Sequence, residues 1–270
     1  MSKPKEIITK LTEELNKNAS VLAYVLVGSQ ARETIYQADE YSDVESYIIV
    51  KDGVAEEFKK TLPNLVNSLG EIIFSYNNQW AGFSTLFSDL FRLELPIAEL
   101  NELPNVFTRP IAQEVRVLID KTNGELEKVL NSRPETIDFE KLFQDRVLDF
   151  WYMGVVAAQY YKKGELWNTI SALRVIQSDL IKLWELLQDP NILLLESNKR
   201  IEKFLSNERI SLLKIINPNY DEDQVKKALL EIIEIFPRTA KEVSEKFRYT
   251  YNETLEKQVK PKLVELLDGD

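Results

Sequence analysis

Neither cysteine nor histidine occurs anywhere in the 270 residues. The first absence excludes disulfides, thiol catalysis and thiolate metal sites. The second excludes a serine triad with a histidine base, histidine-ligated zinc and most haem ligation. No apolar run reaches membrane-spanning length. The start, Met1-Ser2-Lys3-Pro4, leads into an amphipathic segment rather than a signal peptide, so a cytoplasmic location is expected. Positive charge is also in short supply. Lys and Arg number 34 against 44 Asp and Glu, which gives a net charge of −10 and a pI near 4.9. Such a balance argues against duplex DNA as a partner, because that affinity comes from neutralising phosphates with Lys and Arg. It suits a cationic small molecule, although plain solubility produces the same balance. Acid–base or metal chemistry is left to carboxylates, with Tyr and Lys as lesser options. Carboxylates favour hard ions such as magnesium.

What is present is ordinary for a globular protein, with 44% hydrophobic and 29% charged residues in a chain long enough for one large or two smaller domains. Ile7, Ile8, Leu11 and Leu15 share one face of a helix expected over 4–18. The apolar run Val21–Val27 ends at Gly28 and reads as a buried strand. A helical turn and loop should follow over 30–42, a second strand over 43–50, and a helix over 54–69. Further strands are expected at 71–76, 83–87, 90–95 and 115–119, with 97–108 irregular among its prolines. Beyond a linker at 131–138 the pattern is helical: 139–162, 166–188, 191–206, 222–235 and 238–268, the last broken near Pro261. The expected architecture is α+β. A domain with a mixed β-sheet flanked by helices is expected over 1–132, followed by a helical bundle over 133–270.

Gly28-Ser29 offers backbone N–H groups and a hydroxyl at the end of a buried strand, and a helix starting there would add a favourable field for phosphate. Gly-Ser after a strand is more often a plain turn. Asp43 and Glu45 lie two apart and so point to one face, where they repel unless solvated or sharing a divalent ion. A solvated strand start explains them equally well. In 90–95, Phe91, Leu93 and Leu95 take one face while Arg92 and Glu94 take the other, as a same-face ion pair or as a third acidic group for the site. Asp89, Glu71 and Asp120 are its rivals, and Asp120, at a strand end, would otherwise cap the helix that follows.

Together, Gly28-Ser29-Gln30-Ala31-Arg32 and Tyr41-Ser42-Asp43-Val44-Glu45 resemble the Gly-Ser-x-Ala-Arg … Ser-Asp-x-Asp pattern of the polymerase-β-like nucleotidyltransferase superfamily. Glu45 departs from it, standing where many members have Asp. The resemblance is tight over 21–50 and loose elsewhere. Within the superfamily the layout is most similar to the larger lincosamide nucleotidyltransferases, with the aminoglycoside adenylyltransferases next; Asp149-Phe150-Trp151-Tyr152 and Lys163-Gly164-Glu165-Leu166 fit the style of their helical domain.

The resemblance implies transfer of a nucleoside monophosphate from an NTP to a hydroxyl of a small acceptor such as an antibiotic, with release of pyrophosphate. Asp43 and Glu45 would hold Mg2+, Gly28 and Ser29 the phosphates, and Glu94 would take the acceptor's proton or complete the metal site. Arg32 would touch phosphate or stand as a surface arginine. Arg174 and Gln177, on the buried stripe of the 166–188 helix, either line a substrate cleft or make an internal salt bridge to Asp149 or Asp179. Trp151, Tyr152, Tyr160, Tyr161 and Trp167 either stack on a base or sugar or belong to the core. A homodimer follows from the resemblance alone. Two alternatives stay open: a protein or tRNA acceptor, and an inactive relative that binds or scaffolds.

Overall fold

A computed structural model describes residues 2–32, 38–78, 82–108, 114–194 and 201–269. The chain divides into two compact units, Met1–Thr136 and Ile137–Asp270.

The first unit runs α1 (Lys3–Lys17), β1 (Val21–Val27), a 3-10 turn at Gly28–Gln30, β2 (Val44–Val50), α2 (Ala55–Lys59), α3 (Leu62–Asn67), β3 (Ile72–Asn78), β4 (Gly82–Phe87), β5 (Arg92–Leu95) and β6 (Ile97–Glu99). A 3-10 turn, α4 (Leu103–Val106), β7 (Arg116–Asp120) and α5 (Glu125–Asn131) complete it. The strands form one mixed sheet in the order β3-β4-β5-β2-β1-β7. β2 runs parallel to β5 and, past Pro96, to β6; its other neighbour, β1, is antiparallel.

The sheet has two differently covered faces. On one, Tyr24, Leu26, Ile48, Leu93 and Leu95 pack with Ile7, Leu11 and Leu15 of α1 and with Phe58, Leu62 and Val66. On the other, Ala23, Val25, Ile49 and Ala98 are covered by Leu103, Phe107 and Leu126. Each Leu or Ile so buried contributes about 1.5–3 kcal/mol relative to exposure. The second cover stops short. Along β2 the same face carries Ile49, then Tyr47 against the ring of Phe107, then half-buried Glu45. The acidic residues therefore sit where the apolar cover runs out.

Three expectations for this unit are corrected. The helix expected over 54–69 is two short helices, α2 and α3, because Pro63 fits the first turn of a new helix better than the interior of an old one. The segment 97–108 is ordered: β6 pairs with β2, and Glu99 and Glu102 form a reciprocal capping box on the turn that follows. Asp120 does not cap α5 directly; it accepts hydrogen bonds from Thr122, whose own hydroxyl accepts from Leu126 N–H at 3.0 Å.

The second unit holds α6 (Phe139–Lys162), α7 (Leu166–Gln188), α8 (Pro190–Leu194), α9 (Ile201–Phe204), α10 (Asn207–Ile215), α11 (Glu222–Phe247) and α12 (Glu253–Asp268). Asp138 starts α6 by accepting from Lys141 N–H at 2.8 Å. Phe150 of α6 stacks on Phe236 of α11 with ring centroids 3.6 Å apart. The break expected near residues 236–237 is absent: α11 continues through Pro237, and α12 through Pro261. An interior proline costs a helix about 3 kcal/mol, but Pro237 is itself buried in the bundle, so packing on both sides offsets the loss. The chain turns instead at Arg248, in the left-handed region at φ 60°. Within the helix expected over 191–206, α8 and α9 account for the described residues and 195–200 lie outside them; α10 was not anticipated. Among the described residues no helix is long and apolar enough to cross a membrane.

Glu185 of α7 is 3% exposed, and one of its carboxylate oxygens has no hydrogen-bond partner among the described residues. Burial pushes its carboxyl from 4.5 up to about 7, against the smaller opposing effect of Lys182. A raised carboxyl makes the folded state bind more protons than the unfolded one between those values. Its stabilising contribution is thus complete below pH 4.5 and is lost as pH rises through about 7. Glu185→Gln is expected to raise the melting temperature by several degrees near pH ~8 and to leave it almost unchanged near pH ~4. Melts of both proteins across that range check it; an equal shift at both ends rejects a titrating Glu185.

Candidate functional site

The sequence-derived candidates Gly28, Ser29, Asp43, Glu45 and Glu94 gather at one end of β1, β2 and β5. In β2, Val44, Ser46 and Ile48 are fully buried, so Glu45 faces the other way. Asp43, two residues earlier and just before the strand, shares that direction. The parallel register sets Glu45 directly beside Glu94, and the antiparallel register sets it beside Val27, the residue before Gly28. Two adjacent carboxylates on one rung repel each other across a strand spacing of about 4.8 Å. Solvent, a neighbouring cation or a bound ion must offset that repulsion.

A cation is supplied by Arg92. Its guanidinium pairs with Asp43 and lies 3.9 Å from Glu94 Oε1. The side chain of Arg92 is 60% exposed, whereas those of Asp43 and Glu94 are 17% and 21% exposed. The sequence pattern had put Arg92 on the face of Glu94; its reach to Asp43 depends on the pairing of β5 with β2, which is a long-range event. Among the described residues no group of three or more Asp and Glu forms a cage for a metal ion.

Gly28 is where the chain leaves the rung. Its φ is +64°, and a Cβ there would stand 2.2 Å from Glu45 Oε2. Only glycine both adopts this backbone and leaves room for the carboxylate. Behind it, the Gln30 side-chain amide donates to the Asp43 carbonyl at 3.3 Å, tying the turn to the start of β2. The expected helix after Gly28-Ser29 is replaced by a single 3-10 turn over Gly28–Gln30, and among the described residues no α-helix starts at this turn. Arg32 is half-buried just beyond the turn, and the following residues 33–37 lie outside the described residues.

The rival carboxylates lie apart from this rung. Asp89 pairs with Lys3 and accepts from Phe91 N–H, while β5 begins only at Arg92. In the helical unit, Gln177 is buried and donates to the Ile216 carbonyl, and exposed Arg174 donates to Gln177 at 3.3 Å. The salt bridge foreseen to Asp149 and Asp179 is made by Arg146 instead, at 3.2 and 3.0 Å. Burial raises the Asp179 carboxyl against the pull of Arg146. Trp151 is core, Tyr160 and Tyr161 pack against the core, and Tyr152 and Trp167 are each 72% exposed.

The family model described as streptomycin adenylyltransferase matches residues 1–264. No curated protein matches the chain. Among solved structures, an aminoglycoside 6-adenyltransferase from Bacillus subtilis matches at 16% identity and a TM-score of 0.45, covering 100% of this chain and 99% of that one. A nucleotidyltransferase-like protein from Exiguobacterium sibiricum matches at 15% identity and a TM-score of 0.38, covering 98% and 89%.

Proposed function

We propose, starting from the fact that the chain belongs to the streptomycin adenylyltransferase family and so to the nucleotidyltransferases, that it moves a nucleoside monophosphate from an NTP to a hydroxyl of an antibiotic of the aminoglycoside kind. The observation that carries this reading is the rung on which Glu94, Glu45 and Val27-Gly28 lie side by side.

Asp43 and Glu45 would hold Mg2+. This ion is usually bound by one or two carboxylates, with substrate phosphates and waters completing its shell. When bound, it would neutralise charge on the α-phosphate and on the departing pyrophosphate. Gly28 and Ser29 would receive the β- and γ-phosphates, the missing Cβ of Gly28 leaving the backbone open to close approach. The acceptor oxygen attacks the α-phosphorus; its new P–O bond forms as the bond to the bridging oxygen of pyrophosphate breaks. Glu94 accepts the hydroxyl proton. Arg92, mostly exposed and paired with Asp43, holds the carboxylates in place before substrate arrives and can swing toward phosphate afterwards. Arg32 stands close enough in sequence to the turn to contribute a phosphate contact. The acidic net charge favours a cationic acceptor over tRNA. A cytoplasmic location belongs to the same reading.

Purified protein with magnesium, a mixture of NTPs and streptomycin is expected to release pyrophosphate, and excess EDTA to reduce the release at least about 100-fold. Lincomycin serves as the second acceptor. No release with either would reject the antibiotic reading, and release unaffected by EDTA would reject the metal.

A further inference from the structure

The rung that joins Gly28 to Glu94 does not end there. Ser84 of β4 pairs with Glu94, and Tyr76 of β3 pairs with Ser84. Directly opposed residues share a face, so Tyr76, Ser84, Glu94 and Glu45 form one row across four strands. On the next rung, Phe74 opposes Leu86, which opposes Arg92. The far end of this face is open and aromatic: Phe74 and Tyr76 are 50% and 49% exposed, with ring centroids 5.9 Å apart. Asn78 fixes the tyrosine by donating to its hydroxyl at 2.9 Å. Between the aromatics and Glu94, Ser84 is 8% exposed, and its buried hydroxyl has no hydrogen-bond partner among the described residues. A buried hydroxyl without a partner is costly unless something else supplies one.

We infer that this row is the acceptor subsite. The inference rests on the proposed transfer reaction. In-line displacement puts the attacking and leaving oxygens on opposite sides of phosphorus. The Gly28-Ser29 turn follows β1, so pyrophosphate would depart on the β1 side. The hydroxyl must then arrive from the opposite side, over β5 and β4. Two strand spacings, about 10 Å, separate Glu94 from Tyr76, which is the span of one six-membered ring and its substituents. A ring-bearing, cationic acceptor satisfies the whole row. Its reactive hydroxyl meets Glu94, a neighbouring polar group pairs with Ser84, and the next ring or ammonium lies on Tyr76 and Phe74 through stacking and cation–π attraction.

Steady-state kinetics on Tyr76→Ala, Tyr76→Phe and Ser84→Ala test this, with streptomycin and ATP varied separately. Tyr76→Ala is expected to raise the streptomycin KM about tenfold while leaving the ATP KM unchanged. Tyr76→Phe should recover most of the loss, because the ring face is what binds. Ser84→Ala should raise the streptomycin KM several-fold. Thermal melts and light scattering on each variant exclude misfolding and a change in oligomeric state. A raised ATP KM with unchanged streptomycin KM would make the aromatics a platform for the nucleotide base and overturn the inference. So would unchanged kinetics with an altered oligomeric state, which would mark β3 as an interface between copies. In both cases turnover by the unaltered protein leaves the transferase reading standing. If that protein binds neither magnesium-ATP nor streptomycin by calorimetry, both fall together.

Discussion

Asp43→Asn is expected to abolish pyrophosphate release, lowering kcat by about 10³-fold or more, while the melting temperature moves by only a few degrees. The side chain keeps its shape and loses its charge. Asp43 is held at the mouth of β2 by Gln30, which binds its carbonyl, and by Arg92, which binds its carboxylate. The first contact survives the substitution. The second is an ion pair whose basic partner is 60% exposed, and such pairs add little to stability. The fold should therefore tolerate the change. The chemistry should not, because Asp43 supplies one of two charges meant to offset the cation that the triphosphate brings. Pyrophosphate release and a thermal melt on the same preparation decide the matter. Unfolding of Asp43→Asn would show that the carboxylate serves the structure, and normal turnover would place the metal elsewhere.

The parts of this site that the sequence made legible are local ones. The run Val21–Val27 is short, apolar and β-branched, and β1 occupies it residue for residue. The two-residue spacing of Asp43 and Glu45 puts both on one face whatever β2 pairs with. Helices α6 and α7 begin and end where read, because Asp138 supplies an N-terminal cap and Gly164, at φ +71°, breaks the chain between them. The parts that were not legible depend on distant partners. No periodicity shows that β5 lies parallel to β2 with Glu94 beside Glu45, nor that Arg92 crosses to Asp43. β6 exists because β2 has free hydrogen-bonding groups beside it, a fact absent from 97–99 itself. Pro237 looked like a break because its cost is local and the packing that offsets it is not. The row from Tyr76 to Glu45 is invisible for the same reason: its members come from four strands, and only the sheet order lines them up.

Gly28→Ala is expected to damage both the stability of the first unit and its chemistry. Two costs combine. A residue with a Cβ pays about 1–2 kcal/mol to hold the left-handed backbone that Gly28 adopts at φ +64°. The methyl carbon would also stand 2.2 Å from Glu45 Oε2, far inside contact distance. Something must move, and what moves is either the turn that would receive phosphate or the carboxylate that would hold the ion. The expected result is a melting temperature lower by about 3–8 °C, together with a loss of about 10²-fold or more in kcat/KM for the NTP, since displacements of about 1 Å in a positioned site cost that much. The double variant Gly28→Ala, Glu45→Ala separates the two causes. Removing the carboxylate relieves the clash, so the two substitutions should destabilise by less than the sum of their separate effects, the shortfall measuring the contact itself. Activity should not return, because the relieved residue is the one the chemistry needs. Strict additivity in stability would mean that the backbone strain alone sets the cost. Full activity in Gly28→Ala would mean that neither the turn nor Glu45 handles the nucleotide.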